Sequence, residues 1–448
     1  MINRNILLAL GVLLAYQVSF AQESPKTFTL DQAISFAIEN NQQSKNAALD
    51  VEVAQREIDE VIARGLPQIN GTADIAYNHD IRPFVIPAGA FDGTFDPNGT
   101  DVEASALGVP YTSDLNLSLE QLIIDGQFFA GVKAARVYAD LARRDKLKND
   151  IDVAEAVSKA YFLVLVNKER YELVENNFLR TDSLLRDTKG LYEGGFAEKI
   201  DVSRVQVQYN NVKVELDNYQ ALIDLSESLL LFQLGLNRNQ KIDLTDKIED
   251  AGFFDFSEVE TFTYKDRVEF DQLNINKKLA EMDIKTVRGQ YYPRIGLYAQ
   301  LGTLTGARTG SRWLLEEWHP YSVIGLRATM PIFDGLMKRR QVQQRQLKSH
   351  KIDNQIDFLK NNIDVEIEQA ISNYNREFDR MKAQKENMEL AREVYDVAKL
   401  KYQEGVGSNI EVIDADGSYK EAQTNYFNAL YDALISKIAL QKAYGVLL

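Results

Sequence analysis

Hydrophobic and polar positions along this chain follow two periods. From Gln127 to about Thr188, and again from about Gly335 to Glu404, the sequence runs without proline and with almost no glycine. At roughly 1.5 Å per residue, each stretch is predicted as a helix of about 90 to 100 Å. A second helix follows each, Ile200 to Leu234 and Asn409 to Tyr444, after a glycine-bearing turn at Gly194-Gly195 or Gly405-Val406-Gly407. Each pair reads as a long antiparallel hairpin. The returning helices carry a heptad seam at Val202, Val205, Tyr209, Val212, Leu216, Tyr219 and Ile223, repeated 210 residues later at Val412, Ala415, Tyr419, Ala422, Tyr426, Ala429 and Ala433. An ordinary coiled-coil hairpin carries the same seam, so the pattern establishes packing and leaves function open.

Between the helical stretches the period drops to two. Ile69, Gly71, Ala73, Ile75 and Tyr77 alternate with polar neighbours, as do Leu115, Leu117 and Leu119, then Ile295, Leu297, Ala299 and Leu301, then Ile324, Leu326, Ala328 and Met330. Each segment is about 9 to 11 residues, the length of a tilted transmembrane strand with one face to lipid and one to water. Half-buried strands of a soluble sheet look alike, so the weight lies in finding four together.

The two periods recur in the same order twice. Leu66-Pro67-Gln68-Ile69 matches Tyr292-Pro293-Arg294-Ile295, Ile124-Asp125-Gly126 matches Phe333-Asp334-Gly335, and Tyr192, Gly195, Ile200, Asp201 and Val202 match Tyr402, Gly405, Ile410, Glu411 and Val412. The expected plan is a signal peptide over 1–21, a first repeat over 22–236 and a second over 265–448. The first holds strands at about 68–78 and 114–124 and a hairpin over 127–235; the second, strands at about 294–302 and 321–332 and a hairpin over 335–444. An acidic linker, 237–264, carries Asp243, Asp246, Glu249, Asp250 and Asp255 between them.

Residues 1–21 have Arg4 ahead of an apolar run and end Ser19-Phe20-Ala21, the form of a secretory signal. After it no apolar stretch approaches the roughly 20 residues of a membrane-spanning helix, so entry into a membrane would require a closed β-barrel. Four strands cannot close one, since about eight are needed, so copies are expected to associate with cyclic symmetry.

Composition narrows the chemistry. With 51 basic and 66 acidic side chains the formal net charge is −15, which disfavours nucleic acid as a partner. The absence of cysteine excludes disulfides, thiolate metal sites, a cysteine nucleophile and a lipid-modified cysteine anchor. His79, His319 and His350 lie far apart, and no nucleophile, base and orienting group occur together, so neither catalytic residues nor a metal or cofactor site is expected.

The paired repeats, the proline-led first strand, the Asp-Gly after the second strand and the turn from Tyr402 to Ala415 resemble the outer-membrane efflux protein (TolC) family. The resemblance implies a mainly α fold with a membrane β-barrel. It implies a homotrimer with a twelve-stranded barrel in outer-membrane lipid of a diderm bacterium and an α-helical tunnel in the periplasm. The family's role is a porin-like exit duct of a tripartite efflux or type I secretion system, docked at its tip to a periplasmic adaptor and an inner-membrane transporter. The competing expectation is a soluble periplasmic coiled-coil adaptor or scaffold.

By resemblance, Glu411 and Asp414 match acidic positions of the family's constriction. Three apart on a helix, they share a face, and threefold repetition would favour cations. Against this, Ser408-Asn409-Ile410-Glu411 also fits a capping box. Asp201 and Tyr402 match gate-locking positions, with simple tip packing the alternative for Tyr402. Gly407 stands where the best-known member has a gate arginine, so a salt-bridge lock of that kind is not expected. Adaptor contact is expected at Gly194, Gly195, Phe196 and Ala197 and at Gly405, Val406, Gly407 and Ser408, although glycines there equally serve as helix C-caps. In the long loop 79–113, Phe84, Phe91, Phe95, Pro83, Pro87 and Pro97 suggest a cover over the barrel mouth. Asp92, Asp96, Asn98 and Asp101 lack a convincing calcium spacing. Trp313 and Trp318 suit either an interfacial girdle or a loop anchor.

Overall fold

The computed structural model describes residues 26–87, 97, 100–105, 108–248, 262–310 and 313–448. The expected signal peptide, Phe91, Phe95, Asp92, Asp96 and Asn98 of the loop, and Glu249, Asp250 and Asp255 of the linker lie outside the described residues. In chain order the elements are β1 (Lys26–Phe28), α1 (Leu30–Asn40), α2 (Gln42–Ala63), β2 (Gln68–Tyr77), β3 (Phe84–Pro87), β4 (Val102–Ser105), β5 (Tyr111–Ile124), α3 (Gly126–Glu193) and α4 (Lys199–Gln233). There follow β6 (Ile242–Leu244), α5 (Val268–Gly289), β7 (Arg294–Ala307), β8 (His319–Thr329), α6 (Met337–Gln403) and α7 (Asn409–Tyr444). The chain is mainly helical. Among the described residues no helix is long and apolar enough to cross a membrane.

Contacts divide the chain into two units: one holds Met1–Asp50, Arg143–Gln272 and Ile356–Leu448, the other Val51–Ala142 and Leu273–Gln355. The core of the first unit is helical. Val153, Val157, Tyr161 and Val164 of α3, Leu230 on α4, Leu234 just after it, and Leu434 and Ile438 of α7 are buried together, at the three- and four-residue steps that put side chains on one helix face. Of the heptad seam, Val205, Val212, Ile223, Val412, Ala415, Tyr419, Ala429 and Ala433 are buried. Truncating a large aliphatic in such a core costs about 2 to 5 kcal/mol.

Charged side chains tie the helices of this unit together. Lys442 of α7 reaches Asp152 at 2.7 Å and Glu155 at 2.6 Å on α3. Burial pushes both carboxyls up, but the hydrogen bonds from Lys442, Lys148 and Lys159 outweigh it and hold them below the usual range. Arg267 is buried and fully engaged, donating to the Ala443 carbonyl at 3.0 Å, to Glu366 at 3.0 Å and to Glu269 at 3.2 Å.

The stretch expected as a plain acidic linker contributes to this unit. Its residues 242–244 form β6, paired in parallel with β1. Asp246 accepts the Leu30 backbone N–H at 2.8 Å and the Tyr161 hydroxyl at 3.0 Å, fixing the start of α1 against α3. Three-residue strands carry no period, and a parallel partner more than 200 residues away leaves no local trace, so the pair was not legible in sequence.

The second unit is built on an antiparallel sheet of order β2-β5-β7-β8. Register runs Gly71 opposite Leu117, Leu117 opposite Leu301 and Leu301 opposite Ser322, so the leucines of successive strands share one face. β7 continues through Gly302 to Ala307, beyond the expected end at 302, and stays paired with β5 as far as Tyr111 opposite Ala307; the Tyr321 ring of β8 occupies the space above Gly302. The loop 79–113 contains a second hairpin, β3 with β4. The edges β2 and β8 have no further strand partner within the chain among the described residues. α3 and α5 meet where Gly126 and Gly289 touch: a Cβ on Gly289 would lie 2.5 Å from the Gly126 carbonyl carbon, so only glycine allows the approach.

Candidate functional site

Both helical turns rest on one backbone device. Each long helix ends at a glycine in the left-handed region, Gly195 at φ +79° and Gly405 at φ +75°, a conformation that costs other residues about 1 to 2 kcal/mol. Phe196 N–H donates to the Leu191 carbonyl at 2.8 Å and Gly195 N–H to that of Tyr192 at 3.0 Å. In the second turn Val406 donates to Lys401 at 3.0 Å and Gly405 to Tyr402 at 3.1 Å. These paired bonds satisfy carbonyls the helix would otherwise leave open. They leave Phe196 84% and Val406 79% exposed. Gly194 and Ser408 are exposed beside them, and Ala197 and Gly407 are partly covered.

The returning helices begin differently. At α4 the Glu198 backbone N–H donates to Asp201 at 3.2 Å, and Arg204 stands 3.5 Å from the other oxygen of the same carboxylate. Asp201 is therefore both a cap and half of an ion pair. At α7 the cap is the Ser408 hydroxyl, which accepts the Glu411 N–H at 3.3 Å and donates to the Glu411 carboxylate at 3.2 Å. Glu411 is held by a hydroxyl rather than by a cation. Asp414 is exposed, and among the described residues its carboxylate has no hydrogen bond or ion pair. Glu411 and Asp414 thus stand exposed, three residues apart, at the start of α7, whereas Asp201 is neutralised by its neighbour.

Tyr402 packs against the cluster of Tyr395, Val412, Ala415 and Tyr419 and holds α6 to α7. Among the described residues no hydrogen bond or ion pair joins the first turn to the second. A link between the two hairpins lies further along the helices: the Gln208 amide on α4 donates to Asp416 on α7, which also pairs with Lys420 at 2.5 Å. Asp416 is buried, and Asn177 of α3 donates to Gln423 of α7 at 3.1 Å, also out of solvent. Arg180 lies 5.5 Å from the Tyr395 ring centre and 5.6 Å from that of Tyr419, and donates to Asn177. Burial, then the nearby Asp416, push the Tyr395 hydroxyl up, with Arg180 acting the other way. Arg180, Tyr395, Tyr419 and Gln423 line an open groove of about 710 Å³.

Sequence reasoning missed this polar layer. Asp416 and Lys420 are four apart, the spacing of an ordinary solvated helix pair, and spacing does not reveal that Gln208 of another helix covers them. Trp318 donates its indole N–H to the Leu314 carbonyl at 3.2 Å, as a loop anchor does. Among the described residues there is no cluster of histidine and carboxylate able to hold a metal ion.

Comparison with known proteins gives this arrangement its context. The outer membrane efflux protein family matches residues 33–236 and 266–446, most of the chain and both hairpins. The chain is 21% identical to the outer membrane protein TolC of Escherichia coli over 98% of its own length and 86% of that protein's. It is 21% identical to the toluene efflux pump outer membrane protein TtgC of Pseudomonas putida over 93% and 82% of the two chains. Its fold is similar to that of the solved outer membrane protein VceC of Vibrio cholerae, with a TM-score of 0.65 at 17% identity, covering 93% of this chain and 96% of that one. The chain belongs to the outer membrane efflux protein family.

Proposed function

We propose that this outer-membrane efflux protein works as a homotrimer whose three sheets close into one twelve-stranded barrel and whose helical hairpins line a periplasmic duct. It is the exit duct of a tripartite efflux or type I secretion system. The observation that carries the reading is the sheet: one face apolar, the other polar, and, among the described residues, two edges without a strand partner in a sheet of four strands. Open edges left in one chain invite pairing, and closure needs about eight strands or more.

At the periplasmic end, Glu411 and Asp414 supply the selectivity element. Each appears once per subunit, and rings of carboxylates favour cations. Asp201 and Tyr402 hold the turns in the closed state without a salt bridge at Gly407. Phe196 and Val406 are the apolar points that a periplasmic adaptor covers, with Gly194, Gly195, Ala197, Gly405, Gly407 and Ser408 supplying backbone around them. An inner-membrane transporter completes the system and selects the cargo.

The test is reconstitution of the full-length protein in planar bilayers. The expected result is a cation-selective conductance blocked by divalent cations, with selectivity and block both reduced in the Glu411→Gln, Asp414→Asn double variant. Unchanged selectivity in that variant removes the tip carboxylates from the mechanism. Recovery of the protein as a soluble periplasmic monomer overturns the channel in favour of a coiled-coil scaffold.

A further inference from the structure

Three arginines gather at one end of the polar face of the sheet. Arg64 follows α2, Arg294 opens β7 and Arg327 lies near the end of β8; with Gln68, Glu120 and Tyr298 they line an open depression of about 270 Å³. Register explains the gathering. Arg294 stands opposite Thr329 and Gly296 opposite Arg327, so Arg294 and Arg327 are diagonal neighbours, about 7 to 8 Å apart at the backbone and within reach of long side chains. Gly296 between them has no side chain and forms the floor. Tyr298, next on the same face, lies beneath the Arg327 guanidinium, whose centre is 4.8 Å from the ring centroid.

The three cations are unequally committed. Arg64 is paired with Glu60 at 2.6 Å. Arg294 is 71% exposed and reaches only to 3.7 Å from Asp125, whose other oxygen already accepts the Gln127 and Phe128 backbone N–H groups. Arg327 has no carboxylate partner among the described residues. Glu120, opposite Tyr298 in the ladder, is the opposing charge on the depression. Two guanidinium groups therefore keep donors free over a glycine floor, and a guanidinium presents five N–H donors in a planar fork that matches oxyanions.

We propose that this depression binds soluble polyvalent oxyanions, the phosphate-like or sulfate-like groups of ions and cargo, through Arg294 and Arg327. The binding stands on these residues alone; its effect on transport rests on the reading of the polar face as a channel lumen. In such a lumen, low-dielectric walls strengthen the field of a cationic collar. The same face carries the opposite sign at its other end, where Asp74 and Asp114 face each other in the β2-β5 ladder, roughly 30 Å along the strands at about 3.3 Å per residue.

Two measurements on the full-length protein test the proposal, with inorganic pyrophosphate as probe. Equilibrium dialysis of the detergent-solubilised protein is expected to show saturable binding. The half-saturating concentration should rise about tenfold in Arg294→Gln, Arg327→Gln, reflecting two lost charge-assisted contacts, and fall in Glu120→Gln. In bilayers of phosphatidylcholine, pyrophosphate should reduce wild-type current with the same order of sensitivity across the variants. Absence of binding by the wild type, or equal binding by the double variant, overturns the site. Binding without current block overturns only its place in the conducting path, and absence of all conductance fails the channel reading while leaving the dialysis result to decide the site. Loss of block when anionic phosphatidylglycerol is added assigns the depression to a lipid headgroup and overturns a soluble anion as occupant.

Discussion

The two helical turns share a backbone and differ in charge. Gly195 and Gly405 adopt the same left-handed geometry and close the same pair of hydrogen bonds, yet the helices that follow begin with different charges. Across the 210-residue offset, Asp201 corresponds to Glu411 and Arg204 to Asp414. In the first turn the acid caps the helix and the arginine neutralises it. In the second turn a serine caps, the glutamate takes the serine hydroxyl, and the aspartate is left open to solvent. The two turns therefore share a conformation, which depends on a glycine and main-chain bonds, and differ in electrostatics, since a single exposed side chain can change sign without disturbing the backbone. The second turn is the one that leaves a carboxylate, that of Asp414, without a hydrogen bond or ion pair among the described residues.

The largest effect should come from exchanging those charges. Asp414→Arg gives the second turn the first turn's residue and should lower the potassium-to-chloride permeability ratio about tenfold, read as a shift of reversal potential in a salt gradient. Arg204→Asp should move the reversal potential the other way. Shifts of the same sign in both would end the distinction between the turns. A smaller effect is expected from the shared glycines. Gly195→Ala and Gly405→Ala should each cost about 1 to 2 kcal/mol in denaturant unfolding followed by circular dichroism, equally in the two turns because the strain is local. A clear inequality would mean that one turn is held by contacts with a neighbouring subunit. The smallest difference concerns the caps. Ser408→Ala should cost about 1 kcal/mol, whereas Asp201→Asn should cost a few tenths, since the amide oxygen still accepts the Glu198 N–H and the lost pair with Arg204 is partly exposed. Equal costs would show that Asp201 works as a charge rather than as a cap.

Much of the helical architecture was legible because its signals are local and repeated. The seam residues Val205, Val212, Val412 and Tyr419 recur at heptad spacing and are buried, and the turn glycines announce themselves by residue type. The β1-β6 pair was not legible, nor was the extension of β7 past Gly302, which rests on pairing with β5 as far as Tyr111. At the candidate site, the spacing of Glu411 and Asp414 was readable, but the neutralisation of Asp201 by Arg204 and the burial of Asp416 beneath Gln208 were not. Those depend on where side chains meet, which periodicity does not specify.

Sequence alone determined the alternation of long helices with period-two strands, the glycine turns, the recurrence of motifs along the chain and, through these, the resemblance to a family. It could do so because helix and strand periods and left-handed glycines are properties of the chain's own backbone. Only the tertiary structure decided which charges remain available. Asp201, Asp414 and Asp416 are the same residue type, yet one caps a helix and pairs with Arg204, one has no partner among the described residues and one is buried with Lys420 and Gln208. The gathering of Arg294 with Arg327 likewise follows from the register of β7 with β8. Electrostatic interaction depends on distance and on access to water, and both are set by packing between segments far apart in the chain.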